Sequence, residues 1–275
     1  MHISPALVLN NGVQIPQVGF GVFQVSTDDI GPAVSTALEA GYRHIDTAAL
    51  YGNEEGVGEA IRESGLPREE VFVTTKVWNT DQGHDSALAA LDASLDRLGM
   101  DFVDLYLIHW PTPGRDRFVE TWLALEKAYA DGRVRAIGVS NFQPNHLRRL
   151  QAEGTVPPAV NQVELHPSFA QAELAQVHRE LGIVTESWSP LGRAADLDHP
   201  TVTGIASRQG RTPAQVIIRW HLQQGFVVIP KSITPARIRS NLDVFDFELD
   251  ESDMAMISGL DDGNRIGPDP DRFNG

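Results

Sequence analysis

Asp46 ends a short run, "YRHID" at 42–46, that reads as a buried strand, and Tyr51 follows five residues later, just before a helical stretch. Lys76 ends "VFVTTK" (71–76) and His109 ends "VDLYLIH" (103–109). A charge at the end of a buried strand needs a partner, because an unpaired ion in an apolar interior is strongly destabilising. Asp46 and Lys76 can each supply that partner. The ammonium then sits beside the Tyr51 hydroxyl, and a cation favours phenolate. The expected effect is to draw the phenol from about 10 towards neutrality and make it a usable acid. His109 can orient the group that accepts the proton. This set contains a general acid but no nucleophile and no metal set. It suits protonation of a carbonyl oxygen while hydride arrives from elsewhere.

Taken singly, each residue has an ordinary structural explanation: Asp46 as a helix cap, Tyr51 and His109 as satisfied core groups, Lys76 as a side chain reaching solvent. Four at successive strand ends favour chemistry. Two other activities are open to them. Lys76 could be the Schiff-base amine of a lyase or aldolase, although Asp46 would hold it charged. Alternatively, the chain could be a nucleotide-sensing or partner-binding barrel without turnover. Glu164 and His166 in "VELHP" raise a metal site with His109, but there is no H-E-x-x-H and no cysteine, so no metal is expected.

The elements that must carry these residues are legible as alternating patterns. Eight short apolar or β-branched runs each end on a polar residue: 17–21, 42–46, 71–76, 103–109, 134–141, 159–162, 183–189 and 226–232. The early ones are apolar nearly throughout, as expected of parallel strands buried on both faces. Helical spacing lies between them, clearest at Leu88, Leu91, Leu95 and Leu98 and at Val119, Trp122, Leu125 and Tyr129. Ser168 with Gln171, and Thr212 with Gln215, read as capping boxes that start helices. Eight βα units without a Gly/Ser-rich linker predict one closed (β/α)8 TIM barrel over residues 1–275 rather than two doubly wound halves. "LVLNNGVQIPQV" carries a hairpin signal at Asn11-Gly12 and should plug the N-terminal mouth. "DDGNRIGPDPDRFNG" is a tail that either frays or folds over the opposite mouth.

The eight strand ends converge on one face of such a barrel, and they supply Gly21, Asp46, Lys76, His109, Ser140 with Asn141, Gln162, Trp188 and Lys231. Phe23, Trp78 and Trp110 lie one or two residues beyond such ends and, with His109, are candidates for a substrate-pocket wall. The 275 residues carry a formal charge of −15 with no cysteine. That field disfavours nucleic acid and anionic lipid, and no apolar run is long enough to span a membrane. The "MHISPALVLNNG" start has neither a basic region nor an apolar core of a secretory signal, and the lack of cysteine fits a cytoplasmic enzyme.

The motifs "GYRHIDTAALYGNEEGVGEAI", "LYLIHWP", "GVSNF", "NQVELHP" and "IPKS", followed by Arg237 and Asn241, stand together in one order. In this the chain resembles the aldo-keto reductases along essentially its whole length, most of all the prokaryotic 2,5-diketo-D-gluconate reductase branch. The resemblance implies a (β/α)8 barrel that reduces aldehydes and ketones with NADPH, with a catalytic tetrad at Asp46, Tyr51, Lys76 and His109. It also implies that Ser140, Asn141 and Gln162 hold the nicotinamide carboxamide and that Trp188 stacks on the ring. Gly21 and the loop Ser189, Leu191 and Gly192 would follow the cofactor. Lys231, Ser232, Ile233, Arg237 and Asn241 would meet the adenosine end. Lysine and arginine there can neutralise a 2′-phosphate, which favours NADPH over NADH. Arg239 is better read as part of a solvated helix face. A small carbonyl substrate and a monomer are the defaults that the family implies. No G-x-G-x-x-G follows any strand, so a Rossmann site is not expected.

Overall fold

The computed structural model describes residues 4–275, so the first three residues of the expected domain lie outside the described residues. An N-terminal hairpin comes first, with β1 (Ala6–Val8) antiparallel to β2 (Gln14–Pro16). Asn11-Gly12 turns it, and Gly12 adopts φ +85°, a conformation that a side chain would strain. The barrel then begins with β3 (Phe20–Gly21), α1 (Thr27–Ala40), β4 (His44–Asp46), α2 (Glu54–Glu63), β5 (Phe72–Val77), α3 (His84–Leu98), β6 (Val103–Ile108) and α4 (Phe118–Ala130). It continues with β7 (Val134–Ser140), α5 (Pro144–Glu153), β8 (Val160–Glu164), α6 (Ala172–Leu181), β9 (Val184–Trp188), α7 (Pro200–Gln209) and α8 (Pro213–Gln223). Last come β10 (Val227–Val228), α9 (Pro235–Leu242) and α10 (Glu251–Ser258).

Strands β3 to β10 lie side by side in chain order, every neighbouring pair parallel. Val18 bridges Val228, and Val228 N–H donates to the Gln17 carbonyl at 2.9 Å, so the sheet closes on itself. All eight expected strands are present. Outward-facing Tyr106 and Ile108 pack with Leu91, Leu98 and Trp122 of the surrounding helices. Leu105 and Leu107 point inward with Ala136, Val160 and Val227, and the hairpin's Ile15 and the adjacent Leu9 close that inner cluster. Each such side chain contributes about 1.5–3 kcal/mol on burial. Towards the other mouth the interior turns polar, with His44, Asp46, Thr74, Lys76, Gln162 and Glu186 all buried.

The Thr212–Gln215 capping box forms: Gln215 N–H donates to Thr212 Oγ at 3.2 Å and Thr212 N–H donates to Gln215 Oε1 at 2.9 Å. The Ser168–Gln171 box does not. Ser168 is occupied by His166 through its hydroxyl and by Asp196 through its N–H, so α6 starts only at Ala172. The C-terminal segment folds over the mouth at the strand C-termini. Ile266 and Gly267 donate their N–H groups to the Glu164 carboxylate at 2.5 and 2.8 Å. Further on, Phe273 packs on Trp110 with ring centroids 4.6 Å apart, and Asn274 Oδ1 accepts from Gly114 N–H. Among the described residues no helix is long and apolar enough to cross a membrane.

Candidate active site

Asp46 is the last residue of β4, Lys76 sits one residue from the end of β5, and His109 lies just past β6. Tyr51 is brought over them by a single helical turn, Ala49–Tyr51. Lys76 Nζ donates to both Asp46 oxygens, at 2.7 and 2.9 Å, and to the Thr47 carbonyl at 2.9 Å, and it is fully buried. It lies 5.3 Å from the centre of the Tyr51 ring, which it faces. The rings of Tyr51 and His109 stand edge to face at 5.8 Å, and Trp78 meets His109 at 5.0 Å.

The electrostatics depart from the expectation for Tyr51. Burial raises its pKa, the Lys76 charge opposes that, and Asp46 adds to the rise, so the phenol ends above its ordinary value instead of near neutrality. The cation is present as foreseen. Its carboxylate neighbour and the lost solvent outweigh it. Burial alone would lower Lys76, but Asp46, and after it Tyr51, hold the ammonium above its ordinary value. With its N–H bonds committed to fixed acceptors, it is a poor imine-forming amine. His109 is driven well below the usual histidine range by burial and by Lys76, so its ring is neutral.

These side chains floor a cavity of about 910 Å³. Of the expected residues, Gly21, Phe23, Asp46, Tyr51, Trp78, His109, Trp110, Ser140, Asn141, Gln162, Trp188, Ser189, Leu191, Lys231, Ser232, Arg237 and Asn241 all line it. Lys76 lies beneath the floor. Gly192 is buried against Asp196 and Ile233 is half exposed, and neither lines the cavity. Gly21 is required by space, since a Cβ there would come within 2.9 Å of the Ile229 carbonyl oxygen. Asn141 takes φ +65°, held there by Nδ2 donating to the His109 carbonyl at 2.9 Å and to Ser140 Oγ at 3.0 Å. Its Oδ1 accepts from the Trp188 indole N–H at 2.9 Å, which fixes that half-buried ring. At the far end of the cavity Lys231 and Arg237 are exposed and in no ion pair among the described residues. Arg239, outside the cavity, pairs with Glu39 on the surface.

Sequence reasoning missed several contributors. Gln24 lines the cavity from the β3–α1 connection, Leu50 from the Ala49–Tyr51 turn and Arg193 from the segment after β9, and Pro268 and Phe273 do so from the tail. Asn53 and Glu54, at the start of α2, are buried tethers. Asn53 accepts from Thr47 Oγ at 2.8 Å and donates to the Val22 carbonyl at 3.0 Å, while Glu54 accepts from Thr75 Oγ at 2.5 Å and pairs with Arg97. Glu164 and His166, weighed above as metal ligands, bind each other at 3.1 Å, and His166 also meets Asp196 at 3.2 Å. Glu186 was not singled out at all, although it lies behind Asp46.

The chain is similar to known proteins along nearly its whole length. The model of the Aldo/keto reductase family matches residues 17–262. An aldo-keto reductase of Mycobacterium sp. (strain KMS) is 58% identical over 98% of this chain and 98% of its own length. Glyoxal reductase of Bacillus subtilis (strain 168) is 52% identical over 96% of each chain. The crystal structure of a Gox0644 variant in complex with NADPH superposes with a TM-score of 0.95 at 45% identity, covering 99% of both chains.

Proposed function

The chain belongs to the aldo/keto reductase family, and from that premise we propose that it is a single-domain, cytoplasmic, monomeric enzyme that reduces small aldehydes and ketones, dicarbonyls or keto sugars with NADPH, Tyr51 giving the carbonyl oxygen its proton. The observation that carries this reading is the Asp46–Lys76 pair held beneath Tyr51 at the floor of a cavity whose far end presents Lys231 and Arg237. The cavity suits the cofactor chemically. Two free cations match a 2′-phosphate, the immobilised Trp188 face matches a flat ring, and the Gln162 amide matches a carboxamide. When bound, NADPH supplies the hydride.

The protein's own part is to place and protonate the carbonyl. Neutral His109 and the Tyr51 hydroxyl both line the cavity, so a carbonyl oxygen can be held between them. Tyr51 stays protonated at neutral pH and has a proton to give. The Lys76 ammonium beneath it stabilises the phenolate as the proton leaves, and Asp46 keeps that ammonium charged and aimed. Phe23, Leu50, Trp78, Trp110 and Phe273 form the wall on this side, an apolar surface that excludes water from the reacting group. Resemblance to glyoxal reductase supports including dicarbonyls.

The test is NADPH consumption against methylglyoxal, simple aldehydes and diketo-gluconates. Tyr51→Phe keeps the ring and loses the proton, so turnover should fall by about 10²-fold or more with NADPH affinity nearly unchanged. Full activity in that variant would refute the role of Tyr51.

A further inference from the structure

Gln162 has one amide nitrogen and two carboxyl neighbours. Its Nε2 donates to Asp46 Oδ2 at 2.7 Å and to Glu186 Oε2 at 3.0 Å, so both amide hydrogens are committed to the barrel interior. The amide oxygen, Oε1, is the atom left for the cavity that Gln162 lines. Asp46 alone could not impose this, because a carboxylate bound to one hydrogen leaves the other free to swing. Glu186 supplies the second anchor.

From this arrangement we infer that Glu186 is a positioning residue: by accepting the second amide hydrogen of Gln162 it locks the amide with its oxygen facing the cavity, ready to accept from the amide hydrogens of a nicotinamide. The inference rests on the reading of Gln162 as a carboxamide contact.

Glu186 performs this as a neutral acid. Around it are His44 and Asp46 from β4, Lys76 from β5, Gln162 from β8 and the Tyr51 hydroxyl, while β10 offers only Val227 and Val228. The one cation, Lys76, is occupied by both Asp46 oxygens. His44 is kept neutral by burial, and its Nε2 lies 3.7 Å from Glu186 Oε1, an oxygen that has no hydrogen-bond partner. An ionised carboxyl would stand there uncompensated, next to a second anion. Burial, and then the charge of Asp46, raise the pKa of Glu186 to about 8. With Glu186 neutral the amide sits closer to Asp46, at 2.7 Å against 3.0 Å; an ionised Glu186 would draw it away from Asp46.

The test compares binding of NADPH with that of 2′-phospho-ADP-ribose, which shares the adenosine end and lacks nicotinamide, in the wild type, Glu186→Leu, Glu186→Gln and Gln162→Leu. Glu186→Leu should weaken NADPH by about tenfold and leave the fragment unchanged. Glu186→Gln keeps a neutral acceptor and should restore NADPH binding. Wild-type NADPH affinity should also weaken between pH 7 and pH 9, while that of Glu186→Gln stays level. Equal weakening of both ligands in Glu186→Leu, or a Gln variant as weak as the Leu variant, would overturn the inference. Should Glu186→Leu not fold, the pH comparison with Glu186→Gln decides alone: matching profiles refute the proposal. If Gln162→Leu discriminates the two ligands and Glu186→Leu does not, only the role of Glu186 falls. If Gln162→Leu does not discriminate them, the carboxamide reading falls first.

Discussion

Two carboxyl groups share one barrel interior, and only one of them has a cation. Asp46 has Lys76 at 2.7 Å, while Glu186 has a neutral histidine and a shared amide. The difference has a thermodynamic signature. An unfolded chain releases the Glu186 proton near its ordinary 4.5, whereas the folded chain keeps it up to about 8. Over that window the folded state holds the extra proton, so this residue's contribution makes stability fall as pH rises, with the full deficit reached above 8. Glu186→Gln never ionises. Its melting temperature should exceed that of the wild type at pH 8, and the gap should close as the pH approaches 4; a gap independent of pH would contradict the assignment. At the far end of the cavity, Arg237→Ala should weaken NADPH much more than NADH in parallel titrations, and equal loss would exclude a 2′-phosphate contact.

The elements explain why the four residues between Asp46 and Tyr51 suffice to build the floor. The loop from Thr47 to Asn53 is tied to itself by the Thr47–Asn53 hydrogen bond and to the β3–α1 connection by Asn53 and Val22, while Glu54 at the start of α2 fastens to Thr75, next to Lys76. Asn53→Ala strips the Val22 carbonyl and the Thr47 hydroxyl of buried partners, at a cost of about 1–3 kcal/mol. It should lower the denaturation midpoint and reduce turnover by displacing Tyr51. A variant less stable but equally fast would show that the loop holds Tyr51 without this tether. The strand ends were readable because apolar runs closing on Asp, Lys or His violate the ordinary preference of a core, and that violation is visible one residue at a time. The Tyr51 shift was not readable, since its sign depends on how burial and Asp46 balance against Lys76. The Ser168–Gln171 box failed for a related reason. Its local pattern is sound, but His166 and Asp196, the latter distant in sequence, claim the same serine.

At the scale of the molecule, the tail completes the cavity that the strand ends begin. Its anchor is Glu164, whose carboxylate binds two tail N–H groups and His166, and His166 in turn holds Asp196 in the segment after β9. Burial would lower His166, but Asp196 and Glu164 outweigh it and raise its pKa above 6.5. A histidine raised in this way stabilises fully below its ordinary pKa and loses that contribution as pH climbs through the folded value. Amide protection factors over residues 266–273 should therefore decline above neutrality in the wild type and not in His166→Gln. An identical decline in both would assign it to another group. The tail's place over the mouth was beyond the sequence, because Gly, Pro and Asp fix turns but not what those turns lie against.

The bridge from Val18 to Val228 joins residues about 200 positions apart, so the ring is sealed by contacts of very high sequence separation. During synthesis the chain must wait for β10 before the cylinder can close, and until then β3 and β9 are open edges, able to pair with other chains. A nascent copy stalled before residue 227 would hold Asp46, Tyr51, Lys76 and His109 in an unsealed sheet. Its hazard is aggregation on the ribosome, and the last strand is what retires that risk.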